Sequence, residues 1–194
     1  MRSWSKNVIK KLDPTVLGQP NMPKALHGIN PRTIMGASKW RRFSLEQRTN
    51  RPYCTSCGKE GCVLDLHESY TIQYSTRTIT INDYVPLCKN CHSFIHSGLL
   101  QVLVAQKKTS VSTARLILSS GFDICQTHKV KVFKGTVDFA RSLNVSTAGI
   151  RSWSPPMYDE GWGQWKLIFE EQEYLGLTKE QWMKKYGNNH SANF

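Results

Sequence analysis

The pairs Cys54-Thr55-Ser56-Cys57 and Cys88-Lys89-Asn90-Cys91 stand thirty residues apart, and the second runs straight into His92-Ser93-Phe94-Ile95-His96. Two CxxC knuckles at this separation bring four thiolates around one tetrahedral Zn²⁺, two sulfurs from each tight turn. Gly58 follows the first knuckle, where a backbone curling around a metal needs positive φ. Four thiolates close the coordination sphere, so a zinc held by Cys54, Cys57, Cys88 and Cys91 is structural. Cys62 is the substitute ligand should one of these fail, although its position before a strand-like run favours burial. Cys125 lies apart from the other five and fills a core gap.

The sequence between and after the knuckles carries the chemistry. Residues 63–68 (Val-Leu-Asp-Leu-His-Glu) alternate like a strand, and residues 77–81 (Arg-Thr-Ile-Thr-Ile) form a second, β-branched one. After Cys91 the pattern is helical as far as Gly98. His92 and His96 stand four apart, so both imidazoles project from one helical face, spaced to grip a single cation. Strand, strand and helix in this order can set His67 opposite that pair. A base then stands beside a metal.

The stretch from Cys54 to His96 resembles the HNH (ββα-metal, or His-Me finger) endonucleases of the zinc-braced kind found in phages and bacteria. The matching features are Cys54-x2-Cys57, Leu66-His67-Glu68, and Val85-Pro86-Leu87-Cys88-x2-Cys91-His92-x3-His96. Asn30-Pro31-Arg32 and Trp40-Arg41-Arg42 resemble the lead-in of such proteins less specifically. The resemblance implies that His67 is the general base that deprotonates the attacking water. It implies a divalent ion, Mg²⁺ or another, held by His92 and His96 to offset charge on the phosphate and the leaving 3′ oxygen. The expected products are 5′-phosphate and 3′-hydroxyl ends.

Two positions depart from the family pattern. The family often has Asp or His immediately before the base, where this chain has Leu66. Asp65 would point to the opposite face of an ideal strand from Leu66, which makes Glu68 the expected substitute, as ligand or as orienter of His67. The family's central Asn falls at Asp83, with Asn82 beside it, and either side chain would pin the loop behind the base.

Charge and composition supply the setting. The chain has 26 Lys and Arg against 14 Asp and Glu, and residues 1–52 hold eleven of the basic and two of the acidic side chains. A basic first quarter suits a polyanion such as DNA. The longest apolar stretches, residues 99–105 and 114–118, are far too short to cross a bilayer. Residues 1–6 lead into no apolar signal, so a cytoplasmic protein with reduced cysteines, in a bacterium or phage-infected cell, is expected.

The expected fold is α+β, built as a small ββα-metal (HNH) core braced by the four-cysteine zinc site. Residues 1–36, rich in Pro, Asn and Lys, read as a basic extended arm. Residues 37–100 hold the nuclease core, which opens with a helix over 38–48 whose Lys39, Arg41, Arg42 and Arg48 face DNA phosphates. Residues 101–194 read as a mostly helical accessory region. Within it, residues 137–153 space their apolar positions either like a helix-turn-helix, with Asn144 at the turn and Thr147 and Arg151 on a recognition helix, or like a short helical hairpin packed on the nuclease. Trp162, Trp165 and Phe169 recur at helical spacing, Tyr158 belongs to the same aromatic run, and Thr178 caps a last helix. The expected function is metal-dependent hydrolysis of DNA by one active site per chain. A homodimer, or a phage or host protein partner, would be needed to cut both strands. The alternative from another class is a catalytically silent zinc-binding DNA adaptor.

Overall fold

The computed structural model describes residues 10–155 and 161–186 and is a mixed α+β structure. Residues 1–9 of the basic arm, and Pro156 and Tyr158, lie outside the described residues.

Its centre is a long antiparallel hairpin, β1 (Leu64–Gln73) with β2 (Thr78–Cys88). Both expected strands are found in it, each starting one residue later and running further than the alternation indicated. A register shift at Ser69/Tyr70 lets the pairing pass Asn82, so β2 continues unbroken to Cys88. Cys88 is then the extended N-cap of helix α3 (Lys89–Ile95), and a break at His96 separates α3 from α4 (Ser97–Ala105).

Strand register divides the hairpin's side chains between two cores. His67 pairs with Val85 and Asp65 with Leu87, so these four share a face. Val85 and Leu87 pack there with Phe94 and Ile95 of α3 and with Ala114, Leu118 and Phe122 of α5 (Val111–Thr127). Cys125 is fully buried in the same core, as its sequence position suggested. On the opposite face Glu68 pairs with Tyr84. The Tyr84 ring receives Phe43 at 4.7 Å and Trp40 at 6.0 Å from helix α2 (Ala37–Asn50).

Residues 14–35 are not an extended arm. Pro14–Gly18 and Lys24–Leu26 form 3-10 turns, and Pro31–Met35 forms helix α1 behind an Asn30 capping box. Val16 and Leu17 enter the first core, and Ala25 and Leu26 the second. The proline punctuation that breaks regular structure also holds these apolar residues against the body, and their burial outweighs the solvation of the neighbouring lysines.

The C-terminal region is also less helical than expected. Helix α6 (Lys134–Ser142) and the left-handed Asn144, at φ 56°, follow the helix-turn-helix spacing, and Ala140 is fully buried. No recognition helix follows. Gly149 is left-handed too, and Ser152 and Trp153 form strand β4, parallel to β3 (Val132–Phe133). With Pro155 next, the segment is too short for a second helix, and the Trp153 indole donates instead to the Gly18 carbonyl at 3.2 Å.

Trp165 precedes and Phe169 ends a strand, where a helix was expected. β5 (Lys166–Phe169) pairs in parallel with Thr78–Thr80 of β2, and β6 (Gln172–Leu175) completes a four-stranded sheet in the order β1-β2-β5-β6. The β5–β6 turn is Glu170-Glu171, both at positive φ. Glutamates are good helix formers, and a turn of this kind is usually made by Asn-Gly. Thr178 does cap the last helix, α7 (Lys179–Tyr186), through reciprocal bonds with Gln181. The boundaries expected at 36 and 100 therefore cut through shared cores, and the second falls inside α4.

Gly121 of α5 lies where a Cβ would stand 2.1 Å from the Phe94 ring, itself held edge-on by Phe122. Alanine is favoured in a helix by about 1 kcal/mol, but overpacking a filled core costs about 1–3 kcal/mol. Gly121→Ala is expected to lower the melting temperature by several degrees, read by calorimetry or circular dichroism; an unchanged or raised value would contradict this packing.

Candidate functional site

The four knuckle cysteines come together at the junction of β2 and α3. Their sulfurs lie within 4.8 Å of one another, with Cys54, Cys88 and Cys91 buried and Cys57 exposed. Gly58 is left-handed, at φ 73°, and its N–H bonds the Cys54 carbonyl at 2.8 Å. The Thr55 N–H donates to the Pro86 carbonyl at 2.8 Å, which ties the first knuckle to β2. As neighbouring thiols the four cannot ionise alike. Hydrogen bonds from Cys88 and Cys91 hold Cys54 far below the usual thiol range; those with Cys54 and Cys88 push Cys91 up, and desolvation of its sulfur beside the cluster pushes Cys57 up to about 11. A divalent cation resolves this conflict by facing all four with positive charge, so the cluster could hold a metal such as zinc. Cys62 stays outside it, with its sulfur against the Lys59 carbonyl.

A second group lies where β1 faces α3. His67 comes from the strand, His92 and His96 from the helix, and their ligand nitrogens fall within 4.8 Å of one another. Ring centroids are 5.5 Å apart for His67–His92, 5.0 Å for His67–His96 and 4.8 Å for His92–His96. His67 is only 2% exposed. Burial, reinforced by the two neighbouring imidazoles, holds its basicity well below the ordinary value, and burial with His92 lowers His96 to about 4. Both rings are therefore neutral at pH 7, the form that can ligate a cation or accept a proton. Three imidazole ligand atoms gathered this closely, two of them on rings held neutral, are a donor set that fits a cation; the buried Nδ1 of His67 has no hydrogen-bond partner among the described residues.

Asp65 completes this group, although Leu66 and Glu68 drew attention away from it in the sequence. Its Oδ2 lies 3.1 Å from His92 Nδ1, leaving Nε2 free for a cation, the usual relation of a carboxylate to a ligating imidazole. Asp65 and His67 are two apart on one strand and share a face. That parity was the available signal; comparison with Leu66 obscured it.

Glu68 does not belong to the histidine group. Its register partner Tyr84 puts it on the opposite sheet face, where burial raises its carboxyl above the ordinary value. Asn82 and Asp83 lie in β2 instead of a loop behind the base. Asn82 donates to Thr71 Oγ1 at 2.6 Å, and Asp83 accepts from Arg51 at 3.0 Å, so both side chains are engaged away from His67. Of the cations assigned to DNA, Lys39, Arg41 and Arg42 are exposed on α2. Arg48 is committed to the Ser44 and Leu64 carbonyls, both at 3.0 Å, and Arg51 also caps the Tyr84 carbonyl. Arg151 donates to the Lys129 carbonyl and lies on no helix.

Comparison of the chain with family models, with curated proteins and with solved structures gave no match.

Two outcomes are expected. Purified under reducing conditions, the chain should carry about one zinc by elemental analysis, and Cys88→Ser or Cys91→Ser should lose it together with the cooperative melt. Asp65→Asn should weaken Mn²⁺ or Ni²⁺ binding at the histidines about 10–100-fold by titration calorimetry, with the zinc content unchanged.

Proposed function

We propose that this chain is a metal-dependent endonuclease of the HNH type that hydrolyses DNA phosphodiester bonds, its ββα unit braced by a zinc on the four knuckle cysteines. The observation that carries the reading is the meeting of neutral, buried His67 with His92 and His96 on a helix anchored by the cysteine cluster. A cation held by His92 and His96 would supply charge stabilisation at the scissile phosphate and the leaving oxygen. His67, fixed in β1, takes the proton of the attacking water. The P–O3′ bond breaks, and 5′-phosphate and 3′-hydroxyl ends result. Asp65 orients His92 for this task. Lys39, Arg41 and Arg42 contact the DNA backbone irrespective of sequence, and because α2 lies across the sheet from the histidines they do so away from the scissile phosphate.

A second reading makes His67 a third ligand, and its place within 4.8 Å of the other two ligand nitrogens favours that role. Cation binding separates the two. As a base, His67→Ala leaves Mn²⁺ affinity within about threefold; as a ligand, it loses about 10-fold or more.

Nicking of supercoiled plasmid tests the function itself. Wild type with Mg²⁺, Mn²⁺ or Ni²⁺ should convert plasmid to open-circle or linear form, and EDTA should stop it. His67→Ala should slow cleavage about 10²–10⁴-fold while retaining DNA binding. Plasmid left supercoiled by folded, zinc-loaded wild type, or cut equally by His67→Ala, would sink the reading and favour the silent adaptor.

A further inference from the structure

We propose that Gln19 is a positioning residue of the histidine site, holding His67 in the tautomer whose lone pair is on Nε2. This rests on the reading of His67 as the proton acceptor, and it gives the segment before α1 a part in that site.

Gln19 is fixed by its neighbours on both sides. Val16 and Leu17 are buried in the first core. Gly18 presses so closely on the Lys131 carbonyl that a Cβ would stand 2.3 Å from its oxygen, and the Gly18 carbonyl accepts from Trp153. The Pro20 carbonyl accepts from the Tyr70 hydroxyl. Between these anchors the Gln19 amide lies along the edge of β1.

Two backbone groups of β1 decide which way the amide faces. Gln19 Nε2 donates to the Glu68 carbonyl at 3.0 Å, and Oε1 accepts from the Tyr70 N–H at 3.4 Å. Turned over, the amide would face oxygen to the Glu68 oxygen and nitrogen to the Tyr70 N–H, two like-to-like contacts. The group presented to His67 Nε2, 3.4 Å away, is therefore an N–H donor. A neutral imidazole has one lone pair, so a donor at Nε2 places the proton on Nδ1. Nδ1 itself has no partner among the described residues, which leaves Gln19 as the group that sets the choice. The lone pair that takes the proton is thereby placed on Nε2 before substrate arrives, and the attacking water displaces the Gln19 N–H to reach it.

Long-range ¹H–¹⁵N correlation spectra of the histidine rings test this on the full, zinc-loaded chain without added Mg²⁺. Wild type is expected to show His67 with a protonated Nδ1 and an accepting Nε2. Gln19→Ala should average the two nitrogens as both tautomers become populated. Gln19→Glu should reverse them, because a carboxylate accepts only and draws the proton to Nε2. Gln19→Asn, whose shorter amide cannot span the same contacts, should behave like alanine. A protonated Nε2 in wild type, or His67 signals unmoved in all three variants, would overturn the assignment whether or not the protein cuts DNA.

Plasmid nicking then tests the consequence. Gln19→Ala is expected to lower kcat about 10-fold or more, with KM for DNA close to wild type. Unchanged kcat in a variant whose spectrum shows the altered tautomer would overturn the positioning role. Failure of wild type to nick under any metal would remove the nuclease reading, while the spectra would still decide what Gln19 does to His67.

Discussion

Four cysteine sulfurs drawn within 4.8 Å of one another fix the junction of β2 and α3, and the arrangement of the histidines follows from that junction. Cys88 ends the strand and Cys91 sits in the first turn of the helix. A metal held there ties the start of α3 to the knuckle that carries Cys54 and Cys57, and that knuckle is tied in turn to β2 through Pro86. His92 is the residue after Cys91, and His96 is one turn further. Their position relative to His67 thus depends on a covalent spacing of one and five residues from a ligand. Four thiolates would repel one another, so a cation held there would stabilise that order.

Both faces of the hairpin are covered, and what covers them gives the sheet two characters. On one face His67 and His96 are kept neutral by removal from water, and Asp65 reaches His92 from the strand edge. On the other, Glu68 is buried with Tyr84 beneath the aromatic side chains of α2. The arginines at the end of α2 serve the fold: Arg48 and Arg51 satisfy backbone carbonyls at the sheet margin. The Arg51–Asp83 ion pair, with its carboxylate more than half exposed, adds under about 1 kcal/mol; the carbonyls it accompanies would otherwise lose partners, and that is the larger effect.

Segments remote in sequence close both ends of the sheet. Leu177 and Gly176 bond the carbonyls of Ala25 and Trp165, and the Tyr186 hydroxyl donates to the His27 carbonyl, so the first and last described thirds fold against each other. Trp165, Leu167 and Phe169 find their core partners in Ala25, Leu26 and Ile79. The same logic draws Gln19 to β1: apolar neighbours carry it into the core, and its amide meets an otherwise open strand edge.

Ligand spacing and β-branching are local, and they were legible in the residues alone. The CxxC pairs, the i,i+4 histidines, the two strands, the positive φ of Gly58 and Asn144, and the Thr178 cap follow from short-range chemistry that the chain carries wherever it is placed. What only the tertiary structure decided was which neighbours each side chain meets. Glu68, not Asp65, looked like the partner of the histidines until register put Glu68 on the far face. Asn82 and Asp83 looked like loop residues until the bulge carried β2 past them. Residues 14–35 looked like a tail, and residues 162–169 helical, because the apolar surfaces that bury them come from distant parts of the chain. Secondary structure propensities differ by about 1 kcal/mol or less per residue, and burial of a single large side chain exceeds that. Long-range packing therefore settled each case that local sequence left open.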